Sequence, residues 1–158
     1  MEIKLNPIGY VRRESKDEDI RDRNLVSKIV VRRDLVKALD GVEGFSHLYI
    51  VFYMHKVTEE EKRTLKAHPR GRTDIPLLGV FATRISHRPN PIGLSLVELL
   101  EHRNNLLFVR GLDAFDGTPV LDLKPADSWD MVANARVPEW RKKLDEEKLS
   151  QQLATSKN

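Results

Sequence analysis

The chain has no cysteine among its 158 residues. That excludes a disulfide framework, a thiolate zinc site, an iron–sulfur cluster and a cysteine nucleophile. Long hydrophobic runs are missing too: Leu48 to Met54 is the longest, far short of the roughly 20 residues that span a bilayer. The opening MEIKLNPIGY lacks the apolar core of a secretory signal. These absences predict a soluble cytoplasmic protein that does not meet a membrane. There is no GxGxxG or phosphate-binding loop, which excludes a Rossmann-type cofactor domain, and no Ser on a nucleophile-elbow pattern. A joint metal site at His47 and His55 fails on spacing, because eight strand residues separate them by roughly 26 Å. Charge is nearly balanced, with 27 Lys+Arg against 24 Asp+Glu, and a net +3 alone identifies no partner.

What is present reads as β-structure. Ile3 to Val11 alternates weakly and holds Pro7, marking an edge strand or a strand start, and the charge-dense Arg12 to Asn24 predicts a mobile loop. Ile29 to Val31 is a short β-branched strand. Asp34 is expected to cap a helix over Leu35 to Leu39 that ends at Gly41. His47 to Met54 is apolar on both faces and predicts a central strand. Thr58 and Glu61 fit a capping box, opening a surface helix with only Leu65 and Ala67 as apolar anchors. Leu77 to Thr83 predicts a buried strand. Gly93 to Leu100 and Leu106 to Gly111 predict a hairpin turning at Asn104 and Asn105, and Val120 to Leu123 follows the Asp116-Gly117 turn. Pro138 opens a C-terminal helix whose stripe is Trp140, Leu144, Leu149 and Leu153. Short strands at short spacing favour an antiparallel sheet or barrel, and closure would remove its edges.

Two stretches carry more constraint than plain connections. In FATRISHRPNPIG (81–93), Pro89 and Pro91 stiffen a segment presenting Arg84, His87 and Arg88, which reads as a proline-stabilised turn with solvated arginines or as a placement suited to anions or purines. In LDAFDGTPVLDLKP (112–125), Asp113, Asp116, Asp122, Thr118 and Lys124 surround an Asp-Gly turn. His55 and Lys56 close the central strand, where strand ends open onto pockets. Positive charge gathers from Lys62 to Arg88, with seven Lys and Arg against Asp74 alone. A phosphate or RNA partner fits that excess; so does a solvated loop balanced by Glu59, Glu60 and Glu61, and charge alone leaves both readings open.

PIGYV (7–11), GFSHLYIVFYMHK (44–56), LGVFATRISHRPNPIGLSLVEL (78–99) and DGTPVLDLKP (116–125) resemble, in order, the TsaA-like family of tRNA threonylcarbamoyladenosine N6-methyltransferases. The resemblance implies a mainly β protein: a single-sheeted antiparallel β-barrel over residues 1–137 with short peripheral helices; the C-terminal helical tail expected over 138–158 is a departure, standing where longer bacterial members carry a C-terminal extension. It implies a homodimer that binds S-adenosyl-L-methionine near the subunit boundary and methylates N6 of threonylcarbamoyladenosine at position 37 of tRNA. Carried over by position, the cofactor contacts fall at His55, Lys56, Arg84, Arg88, Leu96, Asp116, Gly117, Thr118 and Pro119. The chain departs from bacterial members at VRRESKDEDIRDRN (11–24), which lacks their cofactor-binding motif, and at Ala126, where Tyr often stands.

Transfer of a methyl group to a urea-like nitrogen needs placement and a proton acceptor, for which Asp122, Asp113 and His55 are the candidates. No metal is required. Arg84 or Arg88 would hold a carboxylate, and Arg70, Arg72 and Lys124 would contact RNA. A non-catalytic RNA-binding barrel and a small-molecule methyltransferase on the same fold are the rival readings.

Overall fold

Side chains along the strands alternate between buried and exposed, and that period of two rolls the sheet into a barrel. The computed structural model describes residues 1–14 and 20–155; residues 15–19 and 156–158, and the side chains of 151–155, lie outside the described residues. Part of the predicted 12–24 loop and the place of Leu153 in the helical stripe therefore fall outside it. Six strands, β1 (Gly9–Arg12), β2 (Val26–Val31), β3 (His47–Tyr53), β6 (Ile92–Arg103), β7 (Leu106–Arg110) and β8 (Pro119–Pro125), close in the order β1-β2-β7-β6-β3-β8. Every pairing is antiparallel. A second sheet pairs β4 (Lys66–Ala67) with β5 (Leu78–Gly79). The helix α1 spans Glu139–Thr155.

Inward positions supply the core. Val11, Ile29, Leu48, Ile50, Leu107, Val109 and Val120 have no solvent exposure, and each such Leu or Ile taken out of water stabilises the fold by about 1.5–3 kcal/mol. Gly93 lies opposite Phe52 on β3, and a Cβ there would stand 2.3 Å from the Phe52 ring. The barrel therefore needs glycine at this position. Antiparallel order gathers the ends of β1, β3 and β7 with the starts of β2, β6 and β8 at one mouth of the barrel, where the 111–118 loop lies.

Backbone proximity divides the chain into two units, Met1–Thr64 with Ser86–Asp130, and Leu65–Ile85 with Met131–Asn158. The first is the barrel. The second has its own small core of Ile75, Val80 and Leu144, each at most 2% exposed. Arg72 ties it together by pairing with Asp74 at 2.6 Å and with Glu147 of α1, while Lys143 reaches Asp74 at 3.3 Å.

Several expectations need correction. The first strand begins at Gly9, not Ile3, and Ile3 and Leu5 are exposed. The helix expected at Leu35 is a 3-10 turn, Arg33–Leu39, without a side-chain cap; Asp34 binds Arg32 instead. The Thr58–Glu61 capping box forms, with Thr58 N donating to Glu61 Oε2 at 2.8 Å and Glu61 N to Thr58 Oγ1 at 3.2 Å. It starts only the single turn Glu61–Arg63. The predicted buried strand Leu77 to Thr83 is mostly a turn. Only Leu78–Gly79 pairs, because Thr83 Oγ1 donates to Val80 O at 2.9 Å and closes Val80–Ala82 as a 3-10 helix. β3 does pair on both sides, yet Tyr49, Val51 and Tyr53 point outward and are only half-buried.

Candidate functional site

The barrel mouth is built around one turn. Thr118 N donates to Phe115 O at 3.2 Å, and Gly117 at φ 74 supplies the left-handed residue that the turn requires. Two bonds at 2.9 Å, from Val11 N to Thr118 O and from Gly117 N to Val11 O, staple the turn to β1. Arg13 continues that staple. Its amide donates to Asp116 Oδ1 at 2.9 Å, and its Nη1 donates to Leu112 O at 3.3 Å and Ala114 O at 3.1 Å. Arg23 Nη1 donates to Gly111 O at 2.9 Å, and Ser95 of β6 donates to Asp113. Few freedoms remain to the 111–118 loop.

Against this loop stands the end of β3. The Lys56 ammonium lies 4.1 Å from the centre of the Phe115 ring, a cation–π distance. His55 Nδ1 is 3.4 Å from Thr118 Oγ1, and His55 Nε2 has no partner among the described residues. A cation, an imidazole, a hydroxyl and an aromatic face thus meet at one place, where His55 and Lys56 are exposed and Thr118 is buried. These groups match what S-adenosylmethionine offers: the cation suits its carboxylate, the ring its purine or sulfonium, and the hydroxyl and turn backbone its polar atoms.

Beside the mouth, on the outer barrel face, a cavity of about 540 Å³ is lined by Leu5, Tyr53, Lys62, Pro91, Pro119 and Leu121, among others. Lys62 is held over it, 5.7 Å from the Tyr53 ring and 2.5 Å from Glu59 Oε1. Those contacts hold its ammonium above the ordinary lysine pKa, chiefly through Glu59. A cavity of about 390 Å³ also touches Asp122 and Lys124, with Leu35, Leu39 and Phe45. Among the described residues no three His, Asp or Glu converge as a metal site, and no helix is long and apolar enough to cross a membrane.

A family model described as the tRNA-methyltransferase O N-terminal domain matches residues 17–129. A relative in Methanothermobacter thermautotrophicus, described as a probable S-adenosyl-L-methionine-binding protein, is 42% identical over 79% of this chain and 90% of its own length. The chain belongs to the tRNA-methyltransferase O family. The Escherichia coli tRNA (adenine(37)-N6)-methyltransferase is 48% identical over 56% of this chain, which spans 39% of that protein. A crystal structure of TrmO from Pseudomonas aeruginosa superposes with a TM-score of 0.67 and 35% identity, covering 86% of this chain and 61% of that one.

Within this member of the family, the structure brings His55, Lys56, Asp116, Gly117 and Thr118 to one mouth, with Pro119 starting β8 beside them. Along the same barrel, Asp122 and Leu96 stand away from that mouth. Asp122 faces Val51, four residues before His55 and so roughly 13 Å along the strand. Its carboxylate is engaged by Lys124 Nζ at 2.8 Å, which also raises the lysine's pKa. Asp113 is at the mouth but bonded to Ser95, with Arg23 at 4.0 Å. Leu96 lies on the outer face opposite Tyr49, six residues from His55 and about 20 Å away. Arg88 follows His87, whose Nε2 is 3.1 Å from Glu61 Oε1. Arg84, Arg70 and Arg72 belong to the second unit, where Arg72 is committed to Asp74 and Glu147.

Three residues that shape this mouth were not expected. Arg13 and Arg23 were hidden in a segment dense with both charges, where nothing marks an arginine that will reach 100 residues ahead to cap carbonyls. Phe115 did leave a signal: it is the lone aromatic between the acids of LDAFDG.

Proposed function

We propose that this chain uses S-adenosyl-L-methionine to methylate tRNA, and that its acceptor is N6 of threonylcarbamoyladenosine at position 37. The observation that supports this most is the stapled Phe115–Thr118 turn facing Lys56 and His55. Bound there, the cofactor supplies an electrophilic methyl carbon on a sulfonium, and no metal is needed. The barrel's own work is placement, which can lower such a barrier by about 7–11 kcal/mol. Lys56 and the turn backbone orient the cofactor, and Phe115 offers its face.

The acceptor nitrogen must also lose a proton. Of the three candidates, Asp122 is neutralised by Lys124 and Asp113 is held by Ser95 and Arg23. His55 is the better base: Thr118 orients the ring through Nδ1 and leaves Nε2 to receive the proton.

The protein works in the cytoplasm as a homodimer. Ile92, Leu94 and Leu96 form an exposed apolar row on β6, as a self-complementary interface requires. With Leu96 far from its own His55, its contact with the cofactor arises across that interface, from a second copy.

Incubation with methyl-labelled cofactor and tRNA bearing or lacking the threonylcarbamoyl group, followed by nucleoside analysis, tests the proposal. Label is expected only in the threonylcarbamoylated nucleoside. Transfer to neither RNA, with cofactor binding verified by calorimetry, would overturn it.

A further inference from the structure

The second unit displays an aromatic ring that its own packing does not use. Phe81 is 80% exposed, although its neighbour Val80 is buried. The turn that carries it is fixed at both ends: Val80 N donates to Leu65 O at 3.0 Å, Thr83 Oγ1 binds Val80 O, and Ile85 N donates to Thr83 Oγ1 at 3.4 Å. The ring is therefore held out from a rigid base.

The segment that carries it is cationic. Residues 65–85 carry four Lys and Arg against Asp74 alone, and Asp74 is consumed by Arg72 and Lys143. The helix α1 adds four cations and four carboxylates, so it does not cancel that excess. Arg70 lies in the Pro69–Gly71 turn that follows β4. It sits at φ 57 with Gly71 at φ 68, in a turn closed by Arg72 N to Pro69 O at 3.1 Å. A left-handed arginine is unfavourable, and such outliers point to function where the fold maintains them. Arg70 has no hydrogen bond or ion pair among the described residues.

We infer that Phe81 is a stacking platform for an unpaired base of the RNA substrate, with Arg70 meeting the phosphate backbone nearby. An exposed ring within a basic surface is how proteins hold single-stranded nucleic acid, the ring taking a base and the cations the phosphates. An acidic protein segment would satisfy the charges but gives no reason for a planar aromatic surface. The inference rests on the tRNA reading and adds a residue that selects the RNA rather than the cofactor.

The test measures binding of a threonylcarbamoylated anticodon stem-loop to wild type, Phe81→Ala, Phe81→Leu and Phe81→Trp, with abasic substitutions scanned along the loop. Phe81→Ala and Phe81→Leu should bind about 5- to 150-fold more weakly, the range expected for one base–aromatic stack. Phe81→Trp should retain affinity. One abasic position should erase the difference between wild type and Phe81→Ala. S-adenosylmethionine affinity, thermal stability and particle mass should stay unchanged throughout. Equal RNA affinity for wild type and Phe81→Leu would overturn the inference alone, as would a fall in particle mass for Phe81→Ala, since the ring would then belong to a subunit contact. A wild-type chain that binds no RNA would overturn the tRNA reading and this inference together.

Discussion

The barrel and the second unit solve the problem of holding a functional surface in opposite ways. At the barrel mouth, a turn is fixed by backbone bonds and by an arginine whose guanidinium caps main-chain carbonyls. In the second unit, Ile75, Val80 and Leu144 are buried and the elements are tied by ion pairs around Arg72. Hydrogen bonds to carbonyls in a part-buried setting are directional and resist salt, whereas exposed ion pairs are screened and contribute little. Under the proposed function, the mouth serves precise placement of a small molecule, and the second unit tolerant contact with a charged polymer.

The contrast breaks first at Gly93. Gly93→Ala pushes a methyl into the Phe52 ring and should destabilise the barrel by roughly 1–3 kcal/mol or more, read as a fall in the urea midpoint. Next comes Arg13→Met, which leaves the Leu112 and Ala114 carbonyls without their guanidinium donor. It should cost about 1–2 kcal/mol and weaken S-adenosylmethionine binding about tenfold in calorimetry, while α1 is untouched.

Acid sharpens the comparison from the other side. Arg72 holds the Asp74 carboxyl well below the usual carboxylate range, and Glu147 is lowered by the same guanidinium. Because these folded-state values are depressed, their contribution is present above the ordinary carboxylate pKa of about 4 and is lost as pH falls through the depressed values. Amide exchange in α1 should therefore accelerate at pH 3 relative to pH 7, corrected for intrinsic rates, more than exchange in β3. The smallest effect is Arg72→Met at neutral pH. Trypsin should nick residues 131–150 sooner, with the thermal midpoint of the barrel unchanged.

Much of the barrel was legible because its strands alternate and its turns are chemically marked: Asn104-Asn105 and Asp116-Gly117 both form turns, with Asn104 and Gly117 at positive φ. The second unit was hidden. LLGVFAT (77–83) is as apolar as a core strand, yet it pairs over only two residues, since a hydrophobic run does not state whether a ladder partner exists. Of the site, His55, Lys56 and the Asp-Gly turn were readable from their places at strand ends. Arg13 was not, because its partners are main-chain carbonyls that any sequence presents. Asp122 looked like a site acid for its apolar flanks, but the pairing of β8 with β3 sets it along the barrel wall, next to Lys124.

A crystal structure with S-adenosylmethionine tests the assignment of the barrel mouth most directly. Cofactor density should lie against Lys56, Phe115 and Thr118, with His55 Nε2 open towards the methyl group. Density seated instead in the cavity between Phe45, Leu39 and Asp122, with the Phe115–Thr118 turn untouched, would contradict it.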